Sequence, residues 1–182
     1  MTLAIQGTAA RLIEVAKAEL GVIEGPKDNE TKYGKWAKAN FQPWCGSFVN
    51  WCADKSGVKV PTTVYTPAGA AAFKKAGAWV DAGVANPEPG DIAYFDFPSD
   101  GVSRISHVGI VVKNNGDGTV VCIEGNTSPD RKGDQRNGGE VCQKTRGFKK
   151  NKKGEMISIV GFGRPKFKAA GAAAAKCPTC GK

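Results

Sequence analysis

The fold is decided by the segment Phe41-Gln42-Pro43-Trp44-Cys45-Gly46-Ser47-Phe48-Val49-Asn50-Trp51-Cys52. Pro43 and Trp44 end an extended approach, and the apolar residues that follow recur at helical spacing, which predicts a helix with Cys45 in its first turn. The unpaired N–H groups and the positive dipole at a helix N-terminus stabilise a thiolate. Cys45 is therefore placed to be a nucleophile, although this segment alone fits a small buried hydrophobic residue equally well.

The chain has a single histidine, His107, in a stretch dominated by β-branched residues. A turn rich in Gly and Asn follows, and then a second strand pattern from Thr119 to Asn126, which predicts a β-hairpin. A loop of about four residues would place His107 directly opposite Glu124, with Asn126 on the same face. The other face would carry the core residues Val108, Ile110, Val112, Val121 and Ile123. A histidine opposite a carboxylate suggests an oriented general base rather than an isolated structural histidine.

Four sequence blocks follow one another in the chain: Pro43-Trp44-Cys45-Gly46-Ser47-Phe48-Val49, Pro89-Gly90-Asp91-Ile92-Ala93, Ser106-His107-Val108-Gly109-Ile110-Val111 and Ile123-Glu124-Gly125-Asn126-Thr127-Ser128. In this order they resemble the CHAP family, the cysteine, histidine-dependent amidohydrolases/peptidases. The resemblance is strongest to members found in bacteriophage lysins and tail-associated cell-wall hydrolases, and it covers roughly residues 8 to 130.

This resemblance implies a papain-like α+β fold, with N-terminal helices packed on a small antiparallel β-sheet. It implies a peptidoglycan hydrolase that cleaves an amide bond, as an N-acetylmuramoyl-L-alanine amidase or an endopeptidase, through a thiolate and an acyl-enzyme. Cys45 matches the nucleophile, His107 the general base, and Glu124 and Asn126 the polar positions that orient the histidine. We also expect Gln42 and Trp44, in the segment before the nucleophile helix, to contact substrate, with Gln42 as a candidate oxyanion donor.

The length of 182 residues fits one domain. We predict a catalytic domain over residues 1–167, with helices first and an antiparallel meander after them, and a disordered Ala-rich linker and C-x-x-C tail over residues 168–182. No segment resembles a signal peptide or a membrane span. We therefore expect a monomer made in a host cytoplasm, which reaches the cell wall after holin release or as part of a virion.

Six cysteines without a secretory signal indicate reduced thiols, and we expect Cys52, Cys122 and Cys142 to pack in the folded body. The tail motif Cys177-Pro178-Thr179-Cys180 is half of a tetrahedral zinc site, which two chains could complete together. The polar loop over residues 25–30 does not match a calcium-loop pattern. No cofactor is expected, and calcium or zinc stay open as minor alternatives.

A net charge of +9 indicates a polyanionic partner. Much of the excess lies in a late basic cluster, made up of Lys144, Arg146, Lys149, Lys150, Lys152 and Lys153. Few aromatic residues accompany it, which argues against nucleic acid and favours anionic wall polymers such as teichoic acids, although a solvated hairpin loop would explain it equally well. Two other functions stay open: a non-catalytic wall-binding or virion structural protein, and a basic nucleic-acid-binding protein with a zinc tail.

Overall fold

A computed structural model describes residues 4–98, 101, 104–130 and 133–169. The C-x-x-C motif and most of the Ala-rich linker lie outside the described residues. Within them the helices are α1 (Ala9–Ala18), α2 (Lys32–Trp36), α3 (Cys45–Ser56) and α4 (Thr66–Lys75). The strands are β1 (Trp79–Asp81), β2 (Ile92–Phe95), β3 (His107–Asn114), β4 (Thr119–Thr127), β5 (Glu140–Gly147) and β6 (Ile159–Gly163). Helices precede a six-stranded antiparallel sheet, so the predicted α+β class is confirmed.

The helices begin where local side-chain chemistry predicts. The Thr8 hydroxyl accepts a hydrogen bond from the Arg11 N–H at 3.2 Å, so it caps α1 in the way that threonine favours before a helix. Thr31 does the same for α2 through the Gly34 N–H at 2.9 Å. Helix α4 instead has Pro67 in its first turn and no side-chain cap. These three helices therefore start for reasons that are local in the sequence.

Helix α3 starts at Cys45 without any side-chain cap, because its N-cap residue is Trp44. The helix ends at Gly57, whose φ of 68° is left-handed and suits glycine. Near its start, a Cβ on Gly46 would lie 1.9 Å from the carbonyl oxygen of Thr63. Only glycine allows this close approach, which holds the first turn of α3 against the segment before α4.

The sheet order is β1-β6-β2-β3-β4-β5, with antiparallel pairing throughout. Strands β2 to β5 form the predicted meander, but β6 returns across the sheet and inserts between β1 and β2. The prediction of a simple meander is therefore incomplete, and the short strand β1 was not predicted. Strand β1 has three residues and forms only beside β6, so its pairing depends on a distant part of the chain.

The predicted hairpin register is wrong. Strands β3 and β4 pair with Ile110 opposite Ile123, and the register shifts between Val111 and Lys113. One further step along the ladder places Gly109, not His107, opposite Glu124. The β-bulge adds a residue that sequence alternation cannot reveal. Because the error at this end of the hairpin amounts to two residues, His107 and Glu124 still share one face of the sheet.

Apolar residues pack against both faces of the sheet. The first cluster joins α1, α3 and α4 to the sheet through Tyr94, Val108, Ile110 and Ile123, among others. A second cluster on the other face contains Ala82, Ala85, Ala93, Phe95, Phe97, Val111, Val120, Cys122, Phe148, Ile159 and Phe162. The prediction assigned the core to the first face only. Strand alternation puts His107 and Glu124 on the second face, so these polar side chains lie in an apolar layer.

The four cysteines of the described residues are unpaired. Cys52 and Cys122 are fully buried in the first and second apolar clusters respectively, as predicted, and Cys142 is buried in β5. Burial raises the pKa of the Cys52 and Cys122 thiols, which makes both poor nucleophiles. Among the described residues, no helix combines the length and apolar character needed to cross a membrane.

Candidate active site

Cys45 lies at the bottom of a cleft of about 390 Å³, with only 3% of the residue exposed. The cleft walls come from four segments: the loop before α3, the segment before α4, and the two loops that flank the hairpin. They include Gln42, Pro43, Tyr65, Arg104, Asp134, Arg136 and Asn137. The first N–H groups of an uncapped helix have no intrahelical partners. The thiol therefore lies where a bound molecule could reach both the sulfur and free backbone donors.

His107 is the first residue of β3 and is completely buried. Its Nε2 lies 3.1 Å from Oε2 of Glu124. Glu124 is also completely buried, and its carboxylate charge favours its role as acceptor. An ionised carboxylate cannot donate, so Nε2 must carry the proton in this contact. Glu124 thus selects the tautomer and fixes the plane of the imidazole ring.

The second ring nitrogen, Nδ1, is buried and makes no well-aligned hydrogen bond within the described residues. Because Nε2 is committed to Glu124, Nδ1 is the nitrogen that remains for Cys45. Burial lowers the pKa of His107, but the charge of Cys45, which is near the ring without a well-aligned hydrogen bond, and the hydrogen bond and charge of Glu124 outweigh it and raise the pKa to about 9. The site therefore favours an imidazolium beside the sulfur at neutral pH.

Arg146 also binds the Glu124 carboxylate, and it shares Oε2 with His107. Its Nε donates to Oε1 at 2.8 Å and its Nη2 donates to Oε2 at 2.6 Å. Burial raises the pKa of Glu124, but the Arg146 charge and hydrogen bonds, with those of His107, lower it to about 2. The sequence pattern predicts a strand only from Glu140 to Lys144, whereas β5 continues to Gly147 and includes Arg146. Strand alternation extended by two residues would have placed Arg146 on the face of Cys142 and Lys144.

Two aromatic rings enclose the charged groups. The centroids of the Phe95 and Phe97 rings lie 5.4 and 5.7 Å from that of His107. The guanidinium carbon of Arg146 lies 5.7 and 5.2 Å from the same two centroids. Both cations therefore meet ring faces or edges instead of water. Neither phenylalanine was singled out from the sequence.

Gly109 makes room for the carboxylate. A Cβ at this position would lie 2.7 Å from Cγ of Glu124 and 3.2 Å from the carbonyl oxygen of Ile123. Because Glu124 stands opposite Gly109 and reaches diagonally to His107, its side chain crosses the space that a Cβ would fill. The glycine in this strand thus serves the contact between Glu124 and His107.

The side chain of Asn126 makes its hydrogen bonds with residues other than His107. Its Nδ2 donates to Oδ1 of Asn29 at 3.1 Å and to Oδ1 of Asn137 at 2.9 Å, while its Oδ1 accepts from the Gly139 N–H at 3.2 Å. Asn126 is buried and has a positive φ of 59°. It therefore ties two loops together beside the cleft, and the expectation that it orients the histidine directly is wrong.

The two residues that were expected to contact substrate, Gln42 and Trp44, differ in their exposure. Gln42 is exposed and lines the cleft with Cys45. Trp44 is fully buried, stacks on Tyr33 with ring centroids 5.3 Å apart, and donates from Nε1 to Glu24 at 3.0 Å. A side chain in this position cannot meet substrate, so the expectation for Trp44 is wrong. The tryptophan instead anchors the start of α3.

The basic cluster is not a uniform surface. Arg146 is buried at Glu124, and Nζ of Lys144 donates to the carbonyl oxygens of Ser128 and Pro129 at 2.7 and 3.0 Å. Lys149 is half-buried and donates to the Ala85 carbonyl oxygen at 2.9 Å. The exposed members are Lys150, Lys152 and Lys153. The interpretation of the cluster as one adsorbing surface is therefore wrong for Arg146.

Within the described part of the chain, no group of three or more His, Cys, Asp or Glu residues has the geometry of a metal site. The cysteines of the C-x-x-C motif lie outside that part. The candidate site consists of a thiol at a helix start, a buried imidazole and a buried carboxylate.

Comparison with protein families adds one finding to this geometry. Residues 37–126 match the model of the CHAP domain, a span that runs from the end of α2 through β4 and includes Cys45, His107 and Glu124. No curated protein matches the chain significantly. A CHAP domain suggests a hydrolase of the peptidoglycan amidase or peptidase type. Through residues 37–126, this chain belongs to the CHAP domain family.

Proposed function

We propose that this protein hydrolyses an amide bond of bacterial peptidoglycan, with Cys45 as nucleophile and His107 as general acid and base. The observation that carries the proposal is the contact between His107 and Glu124, combined with the interaction of His107 with Cys45, whose side chain lines the cleft. Cys52, Cys122 and Cys142 lack this combination, because none of them lines the cleft.

In the proposed first step, the Cys45 thiolate attacks the amide carbonyl carbon and the carbonyl oxygen becomes an oxyanion. Backbone N–H groups at the start of α3 stabilise the oxyanion, and Gln42 is a candidate additional donor from the cleft wall. The imidazolium of His107 gives its proton to the leaving amine, and the C–N bond breaks to leave a thioester on Cys45. Neutral His107 then takes a proton from water, whose oxygen attacks the thioester and releases the acid and the thiol.

Glu124 stays charged throughout these steps, because its pKa of about 2 lies far below neutral pH. Its carboxylate keeps the Nε2 proton of His107 in place, which leaves Nδ1 for proton exchange with Cys45 and the substrate. This is the role of the acidic member in a Cys-His-acid arrangement. Removing the charge would leave the buried imidazolium without its partner.

The cleft walls suggest the class of substrate. Arg104 is exposed at the cleft, and Arg136 and Asp134 line it from the loop after β4. Peptidoglycan stem peptides carry both carboxylates and amines, which a cleft with both signs of charge can bind. Exposed Lys150, Lys152 and Lys153 would add attraction to anionic wall polymers. We propose a bacteriophage lysin or virion-associated hydrolase as the setting, made in the host cytoplasm and active at the wall.

The test is Cys45→Ala, with Cys52→Ala as the matched control in the same helix. Cys45→Ala should abolish the clearing of cell-wall suspensions, measured as loss of turbidity, while a thermal melt shows a folded protein. Cys52→Ala should lower the melting temperature through a core cavity but keep clearing at temperatures where it is folded. A folded Cys45→Ala protein that still clears walls would refute the thiol mechanism.

Mass spectrometry of digested sacculi should then identify the bond that is cut. A new free amine on the stem peptide without a new sugar reducing end would show amide hydrolysis. Cleavage between the sugar and L-alanine would indicate an amidase, and cleavage within the stem or cross-bridge an endopeptidase. Binding to walls without any released fragment would favour a non-catalytic wall-binding protein.

A further inference from the structure

Arg146 makes a complete clamp on the carboxylate that faces His107. Two parallel hydrogen bonds join its Nε and Nη2 to the two oxygens of Glu124, and Nη2 also reaches the Thr127 hydroxyl at 3.4 Å. Bidentate pairing of this kind fixes the plane of a carboxylate as well as its charge. Oε2 also accepts from His107, so two residues together set the orientation of Glu124.

Burial makes this clamp necessary. The side chains of Glu124 and His107 have no exposed surface, and that of Arg146 has 9%. A carboxylate in such a place becomes protonated unless a cation compensates for the lost hydration. A protonated Glu124 could donate to Nε2 and would then select the opposite tautomer of His107. The catalytic contact therefore depends on a residue that does not touch the thiol.

Packing leaves Arg146 few alternative positions. Its guanidinium lies against the Phe95 and Phe97 rings, which also contact His107. Arg146 belongs to β5, outside residues 37–126 that match the CHAP domain. The strand pairing brings it back to β4, where Arg146 stands opposite Val120 and its side chain extends along the face to Glu124.

We propose that Arg146 is a positioning residue that fixes the Glu124 carboxylate as the hydrogen-bond acceptor of His107, making a relay of Cys45, His107, Glu124 and Arg146. The proposal rests on the proposed function, because it assigns a role within the same site. The role of Arg146 can be tested separately from the proposed function, because the arrangement of Glu124 and His107 can be measured without any substrate.

The first test uses alkylation of Cys45 by iodoacetamide as a function of pH, followed by peptide mass mapping. The substitution Arg146→Met should leave Glu124 protonated, because the compensating cation is gone. Without its charge, Glu124 should no longer support the imidazolium that pairs with the thiolate. The acid side of the rate profile should move upward by about one pH unit or more. In Arg146→Lys the charge stays, so this limb should not move. Arg164→Met is the matched control, because Arg164 makes the same bidentate contact with Asp91 away from the site.

The second test separates orientation from charge. Arg146→Lys cannot make the parallel pair of bonds, so kcat on soluble wall fragments should fall about tenfold with KM nearly unchanged. Nitrogen NMR of the single histidine reports its tautomer directly. The Nε2-protonated form should dominate the neutral ring in the original protein, and Arg146→Lys should populate the other tautomer. An unchanged tautomer together with unchanged kcat would overturn the proposal.

A double variant keeps the proposal testable if Arg146→Met does not fold. Arg146→Met combined with Glu124→Gln replaces both members of the clamp and leaves no buried charge unpaired. Compared with Glu124→Gln alone, it should leave the acid limb of the alkylation profile in place. An equal upward shift in that background, or the same shift in Arg164→Met, would show a purely structural role. If the unsubstituted protein does not hydrolyse cell walls, the proposed function is refuted. The NMR and alkylation tests of Arg146 would still apply in that case.

Discussion

Two arginines of this protein hold buried carboxylates with the same bidentate geometry but in different surroundings. Arg164 donates to Asp91 from Nε and Nη2 at 2.9 and 2.8 Å, and Arg146 donates to Glu124 from the same atoms at 2.8 and 2.6 Å. The Arg164 side chain is 38% exposed, whereas that of Arg146 is 9% exposed.

The partners beyond each carboxylate explain the difference. Arg164 uses its other donors for Glu88 and the Asn86 carbonyl oxygen, so it ties the end of β6 to the turn before β2. Glu124 instead accepts a further hydrogen bond from His107, at the same Oε2 that accepts from Arg146. The same ionic contact is therefore a structural tie in one place and part of a reactive site in the other. What distinguishes them is the third group, a titratable ring that has no other acceptor at Nε2.

The largest expected effect comes from replacing the carboxylate that each of the two arginines binds. Glu124→Gln should lower kcat on wall fragments by about a hundredfold or more, because the amide no longer holds the Nε2 proton and supports no imidazolium. Asp91→Asn should keep kcat within about twofold, since it alters a tie remote from the thiol. Assays belong below the melting temperature, because unpairing buried Arg146 costs about 3–5 kcal/mol. Equal losses of kcat in Glu124→Gln and Asp91→Asn would contradict the distinction between the two arginine–carboxylate contacts.

The pH dependence of the free energy of unfolding should come from the buried pair of His107 and Glu124. The pKa of His107 is raised to about 9 in the folded protein, against about 6.5 in the unfolded chain. Its contribution is therefore fully present below about pH 6.5 and is lost as the pH rises through about 9. The pKa of Glu124 is lowered to about 2, so its contribution is present above about pH 4.5 and is lost as the pH falls towards 2.

Urea unfolding measured from pH 6 to 10 should show this alkaline loss, and NMR should follow the same titration in the single histidine. The Glu124→Gln variant should show a smaller alkaline loss, because the ring has one fewer partner. Asp91→Asn should leave the shape of the pH curve unchanged. A His107 titration near 6.5 in the folded protein would contradict the assignment.

A smaller effect is expected from filling the space beside Glu124. Gly109→Ala would place a Cβ 2.7 Å from Cγ of Glu124, and displacing that carboxylate should lower kcat about tenfold. Gly163→Ala is the matched control, since its Cβ would lie 2.4 Å from the Phe73 ring. Both variants should melt at lower temperature, but only Gly109→Ala should shift the histidine resonances. Retention of full kcat by folded Gly109→Ala would show that Glu124 tolerates displacement.

Asn126→Ala should affect the loops more than the chemistry. It removes the bonds to Asn29, Asn137 and the Gly139 N–H, and we expect a stability loss of about 1–3 kcal/mol in chemical unfolding. Activity should fall by about tenfold or less, through KM more than kcat, because Asn137 lines the cleft. A loss of kcat larger than that of Glu124→Gln would return Asn126 to the role of orienting residue.

The smallest effect on chemistry is expected from the exposed lysines. Changing Lys150, Lys152 and Lys153 to glutamine should weaken adsorption to intact walls and flatten its salt dependence. Hydrolysis of soluble wall fragments should stay unchanged, in contrast with any change at Arg146. Equal losses on both substrates would place these lysines at the active site.

The sequence by itself determined the elements whose causes are local. Thr8 and Pro67 mark helix starts and Gly57 marks a helix end, so the helices could be predicted without knowing what they pack against. The placement of Cys45 at a helix start follows from the same kind of signal. The pairing of His107 with Glu124 was also predictable, because period-two alternation keeps both on one face even when the register is wrong by two residues.

The tertiary structure decided everything that depends on register between distant strands. The β-bulge in β3 moves Glu124 opposite Gly109, and the pairing of β5 with β4 brings Arg146 to the site. The same packing buries Trp44 and turns Asn126 towards the loops. A side chain's face follows from local periodicity, but its partner depends on how strands far apart in the chain align. That alignment is fixed by packing over the whole sheet, which no local pattern encodes.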